Sequence, residues 1–426
     1  MRKPRSGLLP RLLFGTMVAL AAGLFAQPVS APDGPPPGTI IARSPDPARV
    51  FVASPGIAQI PNGDLIAAHD WSGPGSPGTR TSVYRSRDAG QTWTKISDVR
   101  NFRWATLFFH RGALYLFGVA KSFGNIVIAR STDEGVSWTT PSGPDNGILA
   151  EGRFHTGPVP VLVSGGRIWR AFELAPESDR NRAFSALVLS APEDADLLRR
   201  ENWRQTNAVS FDPTWLNIRA PEWIEGNVVA GPDGTIWNVL RTNTHPRAGD
   251  TRELTGGAAG LPRFEVAAFH RISPDGRTAA FDPATGFRHF PGAQSKFAIR
   301  FDPVSQRYWA IVNRITNKSW TTDWALSPHH QRNVLALISS SDLRTWTESG
   351  PILRFAEGKS YSKADRTGFQ YADWIIAGDD ILAAVRTAWQ GENYHDANFI
   401  TFHRIKNFRN FSAKDAPPDL AGETTP

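Results

Sequence analysis

Three short stretches decide the fold: SRDAGQTW at 86–93, STDEGVSW at 131–138 and the abbreviated SSDLRTW at 340–346. Each follows a run of β-forming residues, TSVYR, NIVIAR and NVLALIS respectively. The Ser and Asp side chains can bond the backbone of a tight turn, Gly where present supplies a positive φ, and the Trp packs back onto the sheet. A turn of one design recurring after a strand implies that the sheet units around it repeat as well.

Ahead of each turn lies a hairpin. PGIAQI and LIAAHDW flank PNGD, RWATLFF and ALYLFG flank HRG, and KFAIRF and RYWAIVNR flank DPVSQ. Three further units keep the order without the motif. They read HTGPVPVLV, RIWRAFE and AFSALVLS; EGNVVA, TIWNVLR and FEVAAFHRISPDGRTAAF; and GFQYADWII, ILAAVRTAW and NFITFHRI. Six hairpin-plus-strand units predict an all-β fold, a six-bladed β-propeller over 51–411, closed by pairing of strands from the two chain ends. A β-sandwich also has short strands and turns, but not six such units in one order.

Arg2, Lys3, Arg5 and Arg11 precede an apolar run at 12–25 that is too short to span a membrane stably. The segment 1–31 therefore reads as a signal peptide running into a linker, with cleavage after Ala26 or Ala31. A Pro/Gly-rich linker at 32–50 and a disordered tail at 412–426 are expected on either side of the propeller. This organisation predicts a secreted or periplasmic monomer with no membrane span after cleavage.

The 426 residues include no cysteine, which excludes disulfides, thiolate metal sites and cysteine nucleophiles. With 15 Trp, 25 Phe and 40% hydrophobic residues the chain can hold itself by its core alone. The net charge of +7 falls to +3 once the four leader cations are set aside. No Lys/Arg run or aromatic-basic ladder points to nucleic acid. No metal or cofactor is expected, since no HExxH or clustered His/carboxylate spacing occurs and His329-His330 and His395-Asp396 are isolated pairs.

The three Asp-turns resemble the Asp-box, or BNR repeat, of the sialidase (neuraminidase) superfamily, and the resemblance extends from about Pro55 to Phe411. GFQYADW at 368–374 and NYHDANFITFHRIKNF at 393–408 resemble a divergent group of bacterial sialidase-like glycoside hydrolases. The resemblance implies a hydrolase of carbohydrate metabolism, an exo-α-sialidase releasing terminal sialic acid or a related acidic sugar. In that family an arginine triad holds the substrate carboxylate, an Asp is the acid, and a Tyr helped by a Glu is the nucleophile. The first arginine normally opens blade one in an Arg-Ile-Pro motif; here that place reads Ser54-Pro55-Gly56-Ile57.

In a propeller, the starts of the innermost strands and the loops joining second to third strands converge on one face. Strand starts give Trp104, His155, Glu225 with Asn227, Lys296, and Gln370 with Tyr371; the loops give His69, Asp70, Trp71, Arg80, Asn125, Glu173, Arg241, Asn313, Arg314, Asn333, Arg386, Asn393, His395 and Asp396. From these the catalytic candidates are Asp70 as acid, Glu225 as base or partner of a nucleophile, Tyr371 (or Tyr394) as nucleophile, and Gln370 as the group orienting a water. Arg80, Arg241 and Arg386 are candidates for the carboxylate. Trp104, Asn125, His155, His395 and Asp396 complete the expected substrate-binding set, with Trp104 suited equally to stacking a sugar and to packing. Two other classes fit the same residues: a polysaccharide lyase using His155 or Tyr371 on uronic acid, and a non-catalytic glycan-binding propeller.

Overall fold

The computed structural model describes residues 33–177, 184–212, 214–216, 222–244, 259–261, 265–316, 327–358 and 365–421. The segment read as a signal peptide lies outside the described residues.

After β1 (Thr39–Arg43) the chain makes a meander of β2 (Phe51–Gln59), β3 (Leu65–Ser72), β4 (Arg80–Ser86) and β5 (Thr94–Arg100). Next come β6 (Arg103–His110), β7 (Ala113–Val119), β8 (Gly124–Ser131) and β9 (Ile148–His155). They are followed by β10 (Leu162–Ser164), β11 (Arg167–Leu174), β12 (Ser185–Pro192), β13 (Arg204–Gln205) and β14 (Val209–Ser210). A further sheet holds β15 (Glu222–Ala230), β16 (Ile236–Asn243), β17 (Val266–Ile272), β18 (Ala279–Ala280) and β19 (Phe287–His289). The next holds β20 (Ala298–Asp302), β21 (Arg307–Asn313), β22 (Val334–Ser340) and β23 (Thr347–Arg354). The last contains β24 (Gly368–Ala377), β25 (Asp380–Ala388) and β26 (Phe399–Ile405), with β1 as its outermost strand.

The architecture is an all-β propeller of antiparallel meanders. The strands hydrogen-bond as five sheets rather than six separate ones, because β9 pairs with β8 and also, through Phe154 and His155, with β11. That bridging fuses two meanders into one nine-stranded sheet. The run HTGPVPVLV, expected as one strand, is split: His155 ends β9, the strand structure lapses over 156–161, and pairing resumes at Leu162 in β10. Pro158 and Pro160 lack the N–H groups that a ladder requires.

Both flanking segments depart from expectation. The stretch read as a linker supplies β1, whose Ile41 and Ala42 are buried and which pairs antiparallel with β26. The stretch read as a disordered tail is tied down as far as residue 421: Asp419 accepts the Ala356 and Glu357 N–H groups, and the Leu420 N–H donates to the Arg354 carbonyl. Alternating apolar residues on adjoining sheets form the core, with Trp309, Phe355, Phe369, Trp374 and Phe408 packed between the last two sheets. Burying a Phe side chain of this kind contributes about 1.5–3 kcal/mol.

The Asp-turns form as the sequence dictates. Asp88 Oδ1 accepts both the Ser86 hydroxyl and the Thr92 N–H, and Asp133 Oδ1 accepts the Ser131 hydroxyl and the Ser137 N–H. The left-handed conformation is shared between each Gly and the residue before it, Ala89 with Gly90 and Glu134 with Gly135.

On the opposite face the innermost strands share another device. In β2, β6, β15 and β24 the register slips by a bulge, and one non-glycine residue stands at positive φ: Ser54 (51°), Trp104 (55°), Glu225 (58°) and Tyr371 (54°). Such conformations cost roughly 1–3 kcal/mol each and recur where a side chain must be aimed. The residue before each bulge pairs with one near the end of the second strand: Ala53 with Asp70, Arg103 with Val119, Ile224 with Arg241, and Gln370 with Arg386.

Candidate active site

The bulged ends of β6, β15 and β24 surround a cavity of about 740 Å³. One wall is aromatic and apolar, with Trp104, Phe123, Phe184 and Ile224; the other carries Glu225, Arg241, Arg332, Tyr371, His395 and Asp396. A wider hollow of about 950 Å³ opens on the Asp-turn face, but its Asp302 and Arg409 are paired with each other.

The centre of the polar wall is a short chain of bonds. The Tyr371 hydroxyl donates to Glu225 Oε1 at 2.8 Å, and Arg241 Nη1 donates to Glu225 Oε2 at 2.9 Å. Arg241 Nη1 also lies 3.5 Å from the Tyr371 oxygen. Burial opposes ionisation of Glu225, yet the charges of Arg241 and His155 and the bonds from Arg241 and Tyr371 outweigh it and hold the carboxyl below its ordinary range. Burial and the Glu225 charge push the Tyr371 phenol above its ordinary value. The pair is therefore a neutral phenol on an ionised carboxylate.

Three guanidinium groups face the tyrosine. Besides Arg241, Arg332 lies 5.9 Å and Arg386 5.4 Å from the centroid of the Tyr371 ring. Arg332 is set by bonds to the His329 carbonyl (2.9 Å) and to Gln370 Oε1 (2.8 Å). Arg386 donates to the His395 carbonyl at 2.5 Å and does not line the cavity. Next to Glu225, His155 Nδ1 is 2.8 Å from Oε2 of the fully buried Glu173, whose Oε1 accepts the Gly226 N–H at 3.3 Å.

No family model and no curated protein matches the sequence. Solved structures do match. An α-L-arabinanase of Penicillium chrysogenum, complexed with arabinobiose, aligns with a TM-score of 0.52 at 16% identity over 87% of this chain and 98% of that one. An α-L-arabinofuranosidase of Fusarium graminearum, complexed with an iminosugar inhibitor, gives 0.54 at 10% identity over 87% and 97%. A Hadza microbial sialidase gives 0.51 at 15% identity over 84% of this chain and 66% of that one. The chain has the fold of these propeller glycosidases. Identities this low carry the fold and leave the chemistry to the site.

Of the residues singled out from sequence, the structure brings Trp104, His155, Glu225, Arg241, Tyr371, Asn393, Tyr394, His395 and Asp396 to the cavity. It does not bring Asp70 there. The Asp70 carboxylate is buried and accepts the Thr81 hydroxyl (2.7 Å) and the Trp104 N–H (2.5 Å), so it braces the β6 bulge as Glu173 braces that of β15. Burial pushes its carboxyl up to about 6.

Gln370 is also buried away from the cavity, with its amide oxygen on Arg332 and both amide hydrogens on the Tyr394 and His395 carbonyls, so it does not present its amide to the cavity. Arg80 sits 3.6 Å from Asp98 and against Trp71, and Asn125 accepts the Gly152 N–H; neither lines the cavity. Arg332, Phe123 and Phe184 were not among the sequence candidates. Arg332 stands in the loop joining β21 to β22, a class of position that the convergence rule covers and where Asn333 drew attention instead.

Proposed function

We propose that the protein is a retaining exo-glycoside hydrolase of the sialidase kind, a six-bladed propeller that removes a terminal acidic sugar from glycans outside the cytoplasm. The blade count takes the nine-stranded sheet as two blades bridged by β9, and the compartment rests on the leader at 1–31.

The observation that carries the reading is the Tyr371 hydroxyl bonded to the Glu225 carboxylate, with Arg241 on the other carboxylate oxygen. In such a pair the carboxylate takes the phenol proton as the tyrosine oxygen attacks the anomeric carbon. The surrounding arginines lower the energy of negative charge on the phenol oxygen, and transfer of the sugar to a tyrosine is an accepted variant of glycoside hydrolysis. Arg241 and Arg332 on the cavity wall favour an anionic sugar, since a guanidinium fits a carboxylate in bidentate fashion. The neighbours named as arabinanase and arabinofuranosidase share the fold, so the sugar is decided by these side chains.

The test is a panel of aryl glycosides of N-acetylneuraminic acid, galacturonic acid and L-arabinofuranose. An acidic sugar should be released, with the first-formed anomer retaining its configuration by proton NMR. Tyr371→Phe should lower kcat/KM by about 10²–10⁴-fold. Preference for the neutral furanoside, or inversion, overturns the proposal.

A further inference from the structure

Retention by Tyr371 and Glu225 leaves a proton unassigned. The leaving glycosidic oxygen needs a donor, and neither carboxyl group of the cavity wall is suited to supply it. Glu225 is ionised and engaged with Tyr371 and Arg241. Asp396, bonded to His395 and Asn393, is held down to about 2 and carries no proton near neutrality. Asp70 lies off the cavity with its oxygens occupied.

We infer that His155 is the general acid of the cleavage step, with Glu173 as its positioning residue; this rests on the glycosidase reading above. His155 lines the cavity with 12% of its side chain exposed, and Glu173 is fully buried. The bond from Nδ1 to Glu173 Oε2 fixes the ring and leaves Nε2, which has no partner among the described residues, for the substrate. The ring is clamped between Trp104 at 4.6 Å and Phe184 at 5.2 Å, so it cannot turn without disturbing both. A buried carboxylate on one imidazole nitrogen is the arrangement that orients a catalytic histidine and stabilises its protonated form.

Position supports chemistry. Glu173 also accepts the Gly226 N–H, so one carboxylate ties the acid to the bulge that presents Glu225. The aromatic wall around His155 suits the apolar face of the leaving sugar, while the arginine wall holds the departing acidic one. The rival His395–Asp396 pair has Arg386 3.5 Å from His395 Nδ1, and that like charge opposes an imidazolium there.

The steps balance. The His155 Nε2 proton passes to the glycosidic oxygen as its bond to the anomeric carbon breaks; Tyr371 Oη forms the new bond and its proton goes to Glu225. In the second half, neutral His155 takes a proton from water as the water oxygen displaces Tyr371, which recovers its proton from Glu225. No oxidant, reductant or further reactant enters.

The experiment compares wild type, His155→Asn, Glu173→Gln and Tyr371→Phe on two glycosides of the sugar released best in the panel above. One carries an activated aryl leaving group and the other is sugar-linked. Loss of a general acid should lower kcat/KM on the sugar-linked substrate by about 10²–10⁴-fold and leave kcat/KM on the aryl substrate within several-fold of wild type; kcat/KM is the quantity compared throughout, because the second half, where His155 is the base, slows for both substrates alike. Glu173→Gln should show the same split in weaker form, which loss of folding would not produce. Tyr371→Phe should lose both substrates. Equal losses for His155→Asn on both substrates, at wild-type thermal stability, remove His155 as the acid while Tyr371→Phe still tests the nucleophile. Hydrolysis unaffected by Tyr371→Phe defeats the underlying reading, and with it this one.

Discussion

Gly157 lies so close to Glu225 that a Cβ on it would stand 2.9 Å from the Glu225 Cγ. Gly157 is not at a positive φ, so alanine is compatible with its backbone. Gly157→Ala should push the carboxylate away from the Tyr371 hydroxyl and lower kcat by one to two orders of magnitude, about 1.4–2.8 kcal/mol, with little change in KM. Steady-state kinetics beside a thermal melt check this, and unchanged kcat in a folded variant counts against Glu225 as the base.

Arg332 and Gln370 act as a unit, since the Gln370 amide oxygen holds the guanidinium from behind. Arg332→Ala should weaken kcat/KM on an acidic sugar by about 2–5 kcal/mol, the cost of truncating one partner of a buried charge pair. Gln370→Ala should give a smaller loss in the same direction. If either variant alters a neutral and an acidic glycoside alike, the cavity does not read the carboxylate through this pair.

Asp70 offers a contrast between position and role. Its carboxylate bonds the Trp104 backbone and the Thr81 hydroxyl, so Asp70→Ala should cost about 1.5–3 kcal/mol of stability for charge-assisted bonds lost in the core. Any activity lost should be equal on aryl and sugar-linked substrates. A loss confined to the sugar-linked substrate would show that Asp70, and not His155, donates the proton.

His270 on β17 is completely buried beside Trp223 and Phe281, and neither ring nitrogen has a partner among the described residues. Burial drives its pKa down to about 3, so the folded protein keeps the ring neutral while the unfolded chain takes up a proton below about 6.5. Its contribution is therefore fully present above about pH 6.5 and is lost as pH falls toward 3. Wild type should lose about 2 kcal/mol through this group between about pH 7 and about pH 5, and His270→Leu should not. Urea unfolding of both proteins at the two pH values measures the difference; parallel losses remove His270 as the source.

The repeat and the mouth were legible in the sequence, because strands, turns and their order are local signals. Glu225, Tyr371, Trp104 and His155 were found by the convergence of strand starts, and Arg241 by its place at the end of β16. Which neighbour faces the cavity was not legible. Gln370 and Tyr371 are adjacent, and in a plain strand adjacent side chains point to opposite sides, but the bulge that aims Tyr371 is a register slip between two strands. Asp70 was misread for a related reason. A carboxylate near the end of a second strand can face the mouth or brace the next blade, and only its partners, Thr81 and the Trp104 N–H, distinguish the two. The bridging by β9 was likewise hidden, since pairing with a second sheet leaves no mark in composition.

The antiparallel pairing of β1 with β26 sets residues 39–43 against 399–402, so the first of the described strands is among the last to find its place. During synthesis β1 waits without its mate until β26 is made, and an unpaired strand invites pairing with other chains. Joining the ends so late makes assembly slow, because contacts distant in sequence must be brought together before they reward the search. The same latch works in reverse once it is shut: β1 is the outermost strand of its sheet and is held by its pairing with β26 alone, so persistence against proteolysis is set at that one seam.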